Sequence, residues 1–214
     1  MSAYAAVVLD MDSTLAFVEG IDWLARRRDP SVAREIEALT ARAMDGELAL
    51  DDIYGERLAL IRPSEVEIDE LALRYESSLA PGAIDAIARL RDEGVALVIV
   101  SGGILQALLP AARALGFADT EVHAVRVDFD SRGEYAGFDS ASPLATQHGK
   151  VEVVRALSLP RPLLAVGDGS TDAALLPVVD SFAAFTGFVR REPVVAVADS
   201  EVRSFDDILQ LVLA

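Results

Sequence analysis

The sequence contains no cysteine and has only two histidines in its 214 residues, His123 and His148. Without cysteine the chain forms no disulfide, has no thiol nucleophile and builds no cysteine-ligated metal site. The two histidines stand far apart and form no cluster with the spacing of metal ligands. We therefore interpret both as packing or surface residues.

Basic residues are scarce as well. The chain has 19 Lys and Arg against 35 Asp and Glu, which gives a formal net charge of −16. Nucleic acids and anionic membranes bind to basic surfaces, so we expect neither as a partner. The acidic surface favours solubility, and a phosphate site on such a chain needs a metal ion and a few well-placed cations to reverse the local field.

Long apolar runs are missing too. No run approaches the ~20 residues that a membrane-spanning helix needs, and no basic segment precedes an apolar stretch at the N-terminus. We therefore expect a cytoplasmic protein without a secretory signal. Hydrophobic residues make up 52% of the chain and charged residues 25%, so disorder is not expected. The length fits one large domain, or one domain with a modest insertion.

Short apolar runs alternate with helical patterns along most of the chain. The runs at residues 4–9, 95–100 and 163–166 predict strands that are buried on both faces, and 181–185 and 194–198 are shorter candidates. Helices are predicted at 83–93, 104–115, 149–157 and 171–179, and a last one begins at Ser204, with Asp207 in the capping-box position. This alternation indicates an α/β fold, a Rossmann-like parallel sheet core flanked by helices.

Two segments break the alternation. Residues 16–77 contain no convincing strand and read as helices, for example at 31–44 and 51–60, so we predict a small helical cap inserted after the first strand. The catalytic core would then comprise residues 1–15 and 78–214. Residues 125–138 alternate apolar and polar side chains around a turn at 130–133, which predicts a β-hairpin. We interpret Asp128 and Asp130 as its polar face and turn.

Three of the predicted strands end in polar turns that contain glycine or hydroxyl side chains. These turns are residues 10–14 (DMDST), 101–103 (SGG) and 167–172 (GDGSTD). Ligands of open parallel sheets bind at the carboxyl ends of the strands, so the three turns should meet at one crevice.

The residue types in these turns match the needs of phosphate-ester hydrolysis. Asp10 and Asp168 supply the oxygen ligands that Mg²⁺ prefers, and the ion draws off charge from a phosphate. Asp10 can attack phosphorus, and Asp12 can protonate the leaving group and later activate water. Ser101, with backbone N–H groups at a helix N-terminus, can hold phosphate oxygens, and Lys150 adds a positive charge.

These motifs, in this order, resemble the haloacid dehalogenase superfamily of phosphohydrolases over essentially the whole chain. The resemblance implies a phosphoric monoester hydrolase in which Asp10 is the nucleophile and Asp12 the acid and base. It implies that Mg²⁺ is held by Asp10, the backbone carbonyl of Asp12, and Asp168. It also implies a phosphate site at Ser101, Gly102 and Lys150, with Asp172 supporting the metal ligands or Lys150.

Within the superfamily the chain is most similar to the phosphoserine phosphatases, which act in serine biosynthesis. Ser13 and Glu19 carry this narrower resemblance, together with residues 43–48 (AMDGEL) and Arg57. The resemblance implies that Glu19 faces the substrate ammonium, that Arg57 grips the carboxylate and that Met44 forms an apolar wall.

The last motif departs slightly from the family pattern. Thr171 stands where the family often has asparagine, and threonine can still hydrogen-bond to phosphate. Residues 187–191 resemble a segment in which an arginine approaches the active site, and the sequence leaves open whether this is Arg190 or Arg191.

Other interpretations stay open at this level. Glu19 can be a solvated acid, Arg57 can pair with Asp52 or another neighbour on the helix surface, and Trp23 is expected to anchor the first cap helix. The enzyme can act on another small phosphorylated metabolite or transfer the phosphoryl group to an alcohol. A non-catalytic Mg²⁺-binding regulatory protein is a further alternative. A monomer and a homodimer are both compatible with the sequence.

Overall fold

A parallel sheet organises the computed structural model, which describes residues 2–45, 47–49, 51 and 53–214. Its strands, in chain order, are β1 (Ala6–Leu9), β2 (Ala96–Ile104), β3 (Val122–Val125), β6 (Leu163–Gly167), β7 (Ser181–Phe185) and β8 (Ser200–Val202). Their spatial order within the described residues is β3-β2-β1-β6-β7-β8. The remaining two strands, β4 (Val127–Phe129) and β5 (Tyr135–Phe138), form the predicted antiparallel hairpin.

Helices connect the strands and cover the sheet. In the described residues they are α1 (Gly20–Ala25), α2 (Pro30–Met44), α3 (Tyr54–Ile61), α4 (Glu65–Glu76), α5 (Ala83–Asp92), α6 (Leu105–Ala114), α7 (Gly149–Leu157), α8 (Ser170–Ala173), α9 (Glu192–Val195) and α10 (Phe205–Leu213). None of them has the length and apolar character that a membrane-spanning helix requires. The predicted α/β class with a parallel sheet, flanking helices and a hairpin is confirmed.

The central strand explains why the functional turns lie together. All four residues of β1 are buried, as expected for a strand covered on both faces. Leu9, its last residue, pairs with Ile99 of β2 on one side and with Val166 of β6 on the other. The chain therefore leaves all three strands at the same edge of the sheet. The strand order also reverses beside β1, and in such sheets this point forms a crevice.

Helices α1 to α4 fall within residues 16–77, between β1 and α5, where the sequence predicts a cap. The predicted helix 31–44 is found as α2, and the predicted helix 51–60 corresponds to α3, which begins at Tyr54. Helix α4 packs against α6, and one hydrophobic cluster runs from the sheet into α1 to α4. The division into a core and a separate cap domain stays a prediction. Gly46 and Asp52, which enter that prediction, lie outside the described residues.

Three local predictions are wrong. Residues 194–198 do not form a strand, because Glu192–Val195 is a helix with Pro193 in its first turn, where the fixed φ of proline favours a helix start. Val197 is 51% exposed, which a buried strand would not allow, and the edge strand is Ser200–Val202 instead. The helix predicted at 171–179 is confined to Ser170–Ala173 and continues as turns.

The third wrong prediction concerns the end of β2. The strand continues to Ile104, so residues 101–103 belong to its last part and do not form a separate turn. Its pairing with β3 is irregular between Val100 and Ile104, which frees backbone groups in this stretch.

The capping box at Ser204 is confirmed, because Asp207 N–H donates to Ser204 Oγ (3.1 Å) and Ser204 N–H donates to Asp207 (3.1 Å).

Candidate active site

One cleft at the carboxyl edge of the sheet brings the predicted site residues together. Ten of the eleven line it: Asp10, Asp12, Glu19, Met44, Arg57, Ser101, Gly102, Lys150, Asp168 and Thr171. The eleventh, Asp172, is buried next to the cleft and contacts Lys150. Neither histidine is among the lining residues, and Trp23 packs against the hydrophobic cluster with the Arg27 guanidinium 4.0 Å from its ring centroid.

Lys150 lies between two carboxylates at the floor of the cleft. Its Nζ is 2.9 Å from Asp10 Oδ1 and 2.7 Å from Asp172 Oδ1, and the side chain is almost fully buried. Burial alone would lower the pKa of Lys150, but the charges of Asp10 and Asp172 raise it above its ordinary value. Lys150 is therefore a permanent positive charge beside Asp10.

Asp172 reaches Lys150 because the strand before it ends in glycine. A Cβ added to Gly167 would lie 2.1 Å from Asp172 Cγ, which no real side chain tolerates. The Gly169 N–H also donates to Asp172 Oδ2 (3.1 Å) and fixes its orientation. The glycines of the GDG sequence at residues 167–169 therefore allow Asp172 to pack close to the backbone, in addition to forming the turn.

A cluster of buried carboxylates next to Lys150 fits a divalent metal ion. Single carboxylate oxygens of Asp10, Asp168 and Asp172 all lie within 4.8 Å of one another, and all three residues are buried. Burial and the charge of Asp10 raise the pKa of Asp168 to about 8 and that of Asp172 to about 7. These shifts report an excess of buried negative charge, and an all-oxygen ligand set of this kind fits a hard divalent cation.

Asp12 is oriented by two hydrogen bonds from outside the core strands. The Tyr75 hydroxyl donates to Asp12 Oδ1 (2.6 Å) and the Gly20 N–H donates to Oδ2 (2.9 Å). A Cβ on Gly20 would lie 2.2 Å from the Tyr75 hydroxyl oxygen, so this contact requires glycine. Burial, followed by the charge of Asp10, raises the pKa of Asp12 to about 7, although both hydrogen bonds act to lower it.

Glu19 enters the cleft from the loop between β1 and α1. Ser13, with a left-handed φ of 50°, turns the chain sharply after Asp12 and donates its hydroxyl to Glu19 Oε1 (2.7 Å). Burial and the charges of Asp168 and Asp12 raise the pKa of Glu19 well above its usual range. Glu19 is not an isolated surface acid, because it lines the cleft and is bound by Ser13, although 27% of its side chain is exposed.

Arg57 is buried rather than paired on a helix surface. The residue is 3% exposed, and its Nη1 donates to Thr40 Oγ1 (2.8 Å), whose hydroxyl in turn donates to Asp22 Oδ1 (2.6 Å). Surface pairing is therefore wrong for the described residues, and the suggested partner Asp52 lies outside them. The three side chains form a connected polar network inside the helices of residues 16–77.

Arg191, and not Arg190, is the arginine that approaches the cleft. Its Nε donates to Asp168 Oδ2 (3.2 Å), and its Nη1 and Nη2 reach Asp45 (3.4 Å) and Glu19 (3.7 Å). Arg190 is partly exposed and pairs with Glu192 and Glu201 away from the cleft. Arg191 thus links the core to the helical segment.

The phosphate-binding candidates Ser101 and Gly102 lie beside Asp12, since a Cβ on the next residue, Gly103, would lie 3.2 Å from Ser101 Oγ and 3.5 Å from Asp12 Oδ1. The Ser101 hydroxyl accepts from Gly103 N–H (3.0 Å), and Ser101 and Gly102 belong to the irregular end of β2. The expectation that their N–H groups belong to a helix N-terminus is wrong, because α6 begins only at Leu105. Met44 ends α2 and packs on the loop after β6, where its Sδ would lie 2.9 Å from a Cβ on Gly169.

Several residues of the site were not predicted from the sequence. Ile21, Asp22, Thr40, Tyr54, Gly103, Leu144 and Thr146 also line the cleft, and Tyr75 contacts Asp12. Tyr54 lies three positions before Arg57, so it shares a helix face with a predicted site residue and could have been found from this spacing. Thr40 and Tyr75 belong to no motif.

The turn role of Asp130 is confirmed, since it accepts from the N–H groups of Arg132 and Glu134.

Comparisons with known proteins agree with this geometry. A family model of haloacid dehalogenase-like hydrolases matches residues 4–179. The phosphoserine phosphatase of Mus musculus is 36% identical over 207 residues, which cover 95% of this chain and 91% of that protein. A phosphoserine phosphohydrolase-like protein from Francisella tularensis has a TM-score of 0.89 at 24% identity, with 96% of this chain and 98% of the other covered.

A second solved structure is a phospho-aspartyl intermediate analogue of phosphoserine phosphatase, with a TM-score of 0.82 at 23% identity and 97% and 98% of the two chains covered. At identities of 24% and 23%, these two structures show that the fold is shared. The family match and the 36% identical relative go further, and the chain belongs to the haloacid dehalogenase-like hydrolase family. The predicted superfamily, the predicted similarity to phosphoserine phosphatases and the hydrolase class are confirmed.

Proposed function

We propose that this enzyme hydrolyses L-phosphoserine to L-serine and phosphate, with Mg²⁺ as its metal and with Asp10 as the nucleophile. One observation carries the proposal: a single cleft joins Asp10 to two side chains of opposite charge, Glu19 and Arg57. A phosphate ester that also bears an ammonium and a carboxylate matches this arrangement. The 36% identity to a phosphoserine phosphatase supports the same substrate.

The zwitterionic end of the substrate binds to the helical side of the cleft. Glu19, oriented by Ser13, pairs with the ammonium, and Arg57, supported by Thr40, binds the carboxylate. Charge-assisted hydrogen bonds of this type are stronger than neutral ones, and the burial of Arg57 strengthens its contact further. Met44 forms an apolar wall beside them.

The phosphate end binds to the core. Ser101, Gly102 and Thr171 supply hydrogen-bond donors, and Lys150 supplies a positive charge 2.9 Å from the nucleophile Asp10. This charge offsets the repulsion that a carboxylate nucleophile would otherwise exert on a phosphate.

Mg²⁺ would be held by Asp10, Asp168 and the backbone carbonyl of Asp12, while Asp172 keeps Lys150 in place. The bound ion supplies Lewis-acid stabilisation of negative charge on the phosphoryl oxygens. Arg191 holds Asp168 in position from the other side.

The chemistry takes two steps. A carboxylate oxygen of Asp10 attacks phosphorus and the ester P–O bond breaks, while protonated Asp12 gives its proton to the departing serine oxygen. Asp12 then takes a proton from a water molecule whose oxygen attacks the phosphorus of the aspartyl-phosphate. The bond between phosphorus and the Asp10 oxygen breaks, phosphate leaves, Asp10 is again a carboxylate and Asp12 is again protonated. A pKa of about 7 lets Asp12 act as acid in the first step and as base in the second.

A screen of phosphate esters with Mg²⁺ tests the proposal. We expect kcat/KM for phosphoserine to exceed that for sugar phosphates by at least about 100-fold, because two charged contacts, to Glu19 and Arg57, distinguish the substrates. Equal rates for both would reject the substrate. Asp10→Asn should abolish phosphate release in a protein that still folds, as checked by circular dichroism, and an active Asp10→Asn enzyme would reject the nucleophile.

The proposal also concerns the setting of the enzyme. Because the proposed product is L-serine, we infer a role in serine biosynthesis. We also propose the cytoplasmic location that the sequence predicts. Either a monomer or a homodimer is compatible with a cleft built within one chain. Light scattering coupled to size-exclusion chromatography distinguishes the two.

A further inference from the structure

Tyr54 brings a buried hydroxyl group to the cleft without a hydrogen-bond partner among the described residues. The residue is 1% exposed, lines the cleft and makes no hydrogen bond through its Oη. Leaving a buried hydroxyl unpaired destabilises a folded protein, because the group loses its hydrogen bonds to water and gains none in return. Native structures seldom keep such a group without a role, so the hydroxyl is a candidate for contact with the substrate.

Tyr54 and Arg57 form a pair on one helix face. They lie three residues apart on α3, and the Arg57 Cζ is 5.8 Å from the centroid of the Tyr54 ring. Arg57 Nε likewise lacks a partner among the described residues, although Nη1 is held by Thr40. Two adjacent buried side chains therefore present unpaired donors at the same end of the cleft.

The Tyr54 ring is held firmly in this position. Phe138, at the end of the β4–β5 hairpin, packs against it with ring centroids 5.5 Å apart at a tilt of 56°. Burial raises the pKa of Tyr54 above its usual value, so the hydroxyl keeps its proton and remains a donor. A fixed donor loses little conformational freedom when a ligand binds, which favours affinity.

We propose that the Tyr54 hydroxyl donates a hydrogen bond to the substrate carboxylate, next to Arg57, and thereby determines specificity for phosphate esters that carry a carboxylate. This inference rests on the proposed function. The ammonium is a less favourable partner because the Arg57 guanidinium repels it and Glu19 attracts it elsewhere. The phosphate candidates Ser101 and Lys150 belong to the core rather than to α3.

The test compares Tyr54→Phe with the unmodified enzyme on two substrates. Phosphoserine carries the carboxylate, whereas phosphoethanolamine keeps the ammonium and the phosphate but lacks the carboxylate. For phosphoserine we expect KM to rise about 10-fold, which corresponds to about 1.4 kcal/mol, with kcat changed by less than about twofold. For phosphoethanolamine we expect both constants to stay within about twofold of the unmodified enzyme.

Tyr135→Phe provides a matched control. Tyr135 also has an arginine over its ring, with Arg62 Cζ 5.6 Å from the centroid, but it does not line the cleft. The same chemical change there should alter neither substrate's KM. In addition, Tyr54→Phe should have a Tm equal to or above that of the unmodified enzyme, because it removes an unpaired buried hydroxyl and keeps the ring.

The outcomes separate this inference from the proposed function. If the unmodified enzyme does not prefer phosphoserine over phosphoethanolamine, the proposed substrate is wrong and the inference falls with it. If the preference exists but Tyr54→Phe leaves the KM for phosphoserine unchanged, the inference alone is wrong. An equal loss on both substrates, or a Tm several degrees lower, also overturns it, because the hydroxyl would then serve the phosphate or the fold.

Discussion

At the scale of a single residue, Asp12 is subject to opposing influences on its charge. Burial and the neighbouring Asp10 favour the neutral carboxyl, while the Tyr75 hydroxyl and the Gly20 N–H favour the carboxylate. The balance leaves a pKa of about 7. A group that must both give and accept a proton works best when its pKa lies near the operating pH.

The contact between Tyr75 and Asp12 can be tested with Tyr75→Phe. The substitution removes a hydrogen bond that stabilises the carboxylate, so the pKa of Asp12 should rise. In the proposed mechanism the first chemical step needs protonated Asp12, so kcat/KM should fall as pH rises through this pKa. We expect this falling limb to move to higher pH in Tyr75→Phe, as measured by kcat/KM against pH. A limb that stays in place would show that Tyr75 does not influence Asp12 during the first step.

At the scale of secondary-structure elements, three helices cooperate to hold Arg57. Asp22 belongs to α1, Thr40 to α2 and Arg57 to α3, and their side chains form one chain of hydrogen bonds. Thr40 is the middle member and is 4% exposed. Its hydroxyl both accepts from Arg57 and donates to Asp22, so neither outer residue is left alone in the buried site.

Thr40→Val should disturb this network without a large change in volume. The loss of the hydroxyl leaves Arg57 and Asp22 without their shared partner, and we expect KM for phosphoserine to rise about 10-fold or more with a smaller effect on kcat. Thr40→Ser keeps the hydroxyl and should restore KM to within about threefold. Steady-state kinetics of both variants checks this. If Thr40→Ser behaves like Thr40→Val, the effect comes from packing rather than from the hydrogen bonds.

The elements also differ in how well the sequence predicts them. The run at residues 163–166 becomes β6 because its apolar residues are contiguous and buried, and local composition suffices to identify it. Residues 194–198 are similarly apolar, yet Pro193 favours a short helix that ends at Val195, and Val197 lies exposed in the turn that follows. β3 was not predicted, because its residues Val122–Val125 form a strand through pairing with β2 rather than through a distinctive pattern.

At the scale of the whole molecule, negative charge accumulates towards the cleft. The chain has a net charge of −16, and six carboxylates lie in or next to the cleft, namely Asp10, Asp12, Glu19, Asp22, Asp168 and Asp172. Lys150 and Arg191 compensate part of this charge. A divalent cation bound among the carboxylates would relieve the remaining repulsion and stabilise the folded chain.

Stability should therefore depend on pH and metal together. The pKa values of Asp12, Asp168 and Asp172 are raised to about 7, 8 and 7 in the folded chain. Their unfolded values lie near 4, so their contribution is complete below about pH 4 and is lost as pH rises towards 8. We expect the Tm of metal-free protein to be lower at about pH 8.5 than at about pH 5.5.

Added Mg²⁺ should raise the Tm at both pH values, and more at the higher one, because the ion binds the carboxylates in their ionised form. Thermal unfolding in chelator and in Mg²⁺ measures the effect. Asp168→Asn, which removes one proposed ligand, should reduce the rise in Tm that Mg²⁺ causes. An equal response in Asp168→Asn would contradict the metal assignment.

The sequence by itself determined the chemistry and the strands that carry it. Asp10, Asp12, Lys150 and Asp168 are recognisable because they follow local apolar runs or belong to short motifs. The tertiary structure decided which other residues join them: Arg191 rather than Arg190, Tyr75 at Asp12, and Thr40 at Arg57. Each of these depends on contacts between segments distant in the chain, and no local pattern records such contacts.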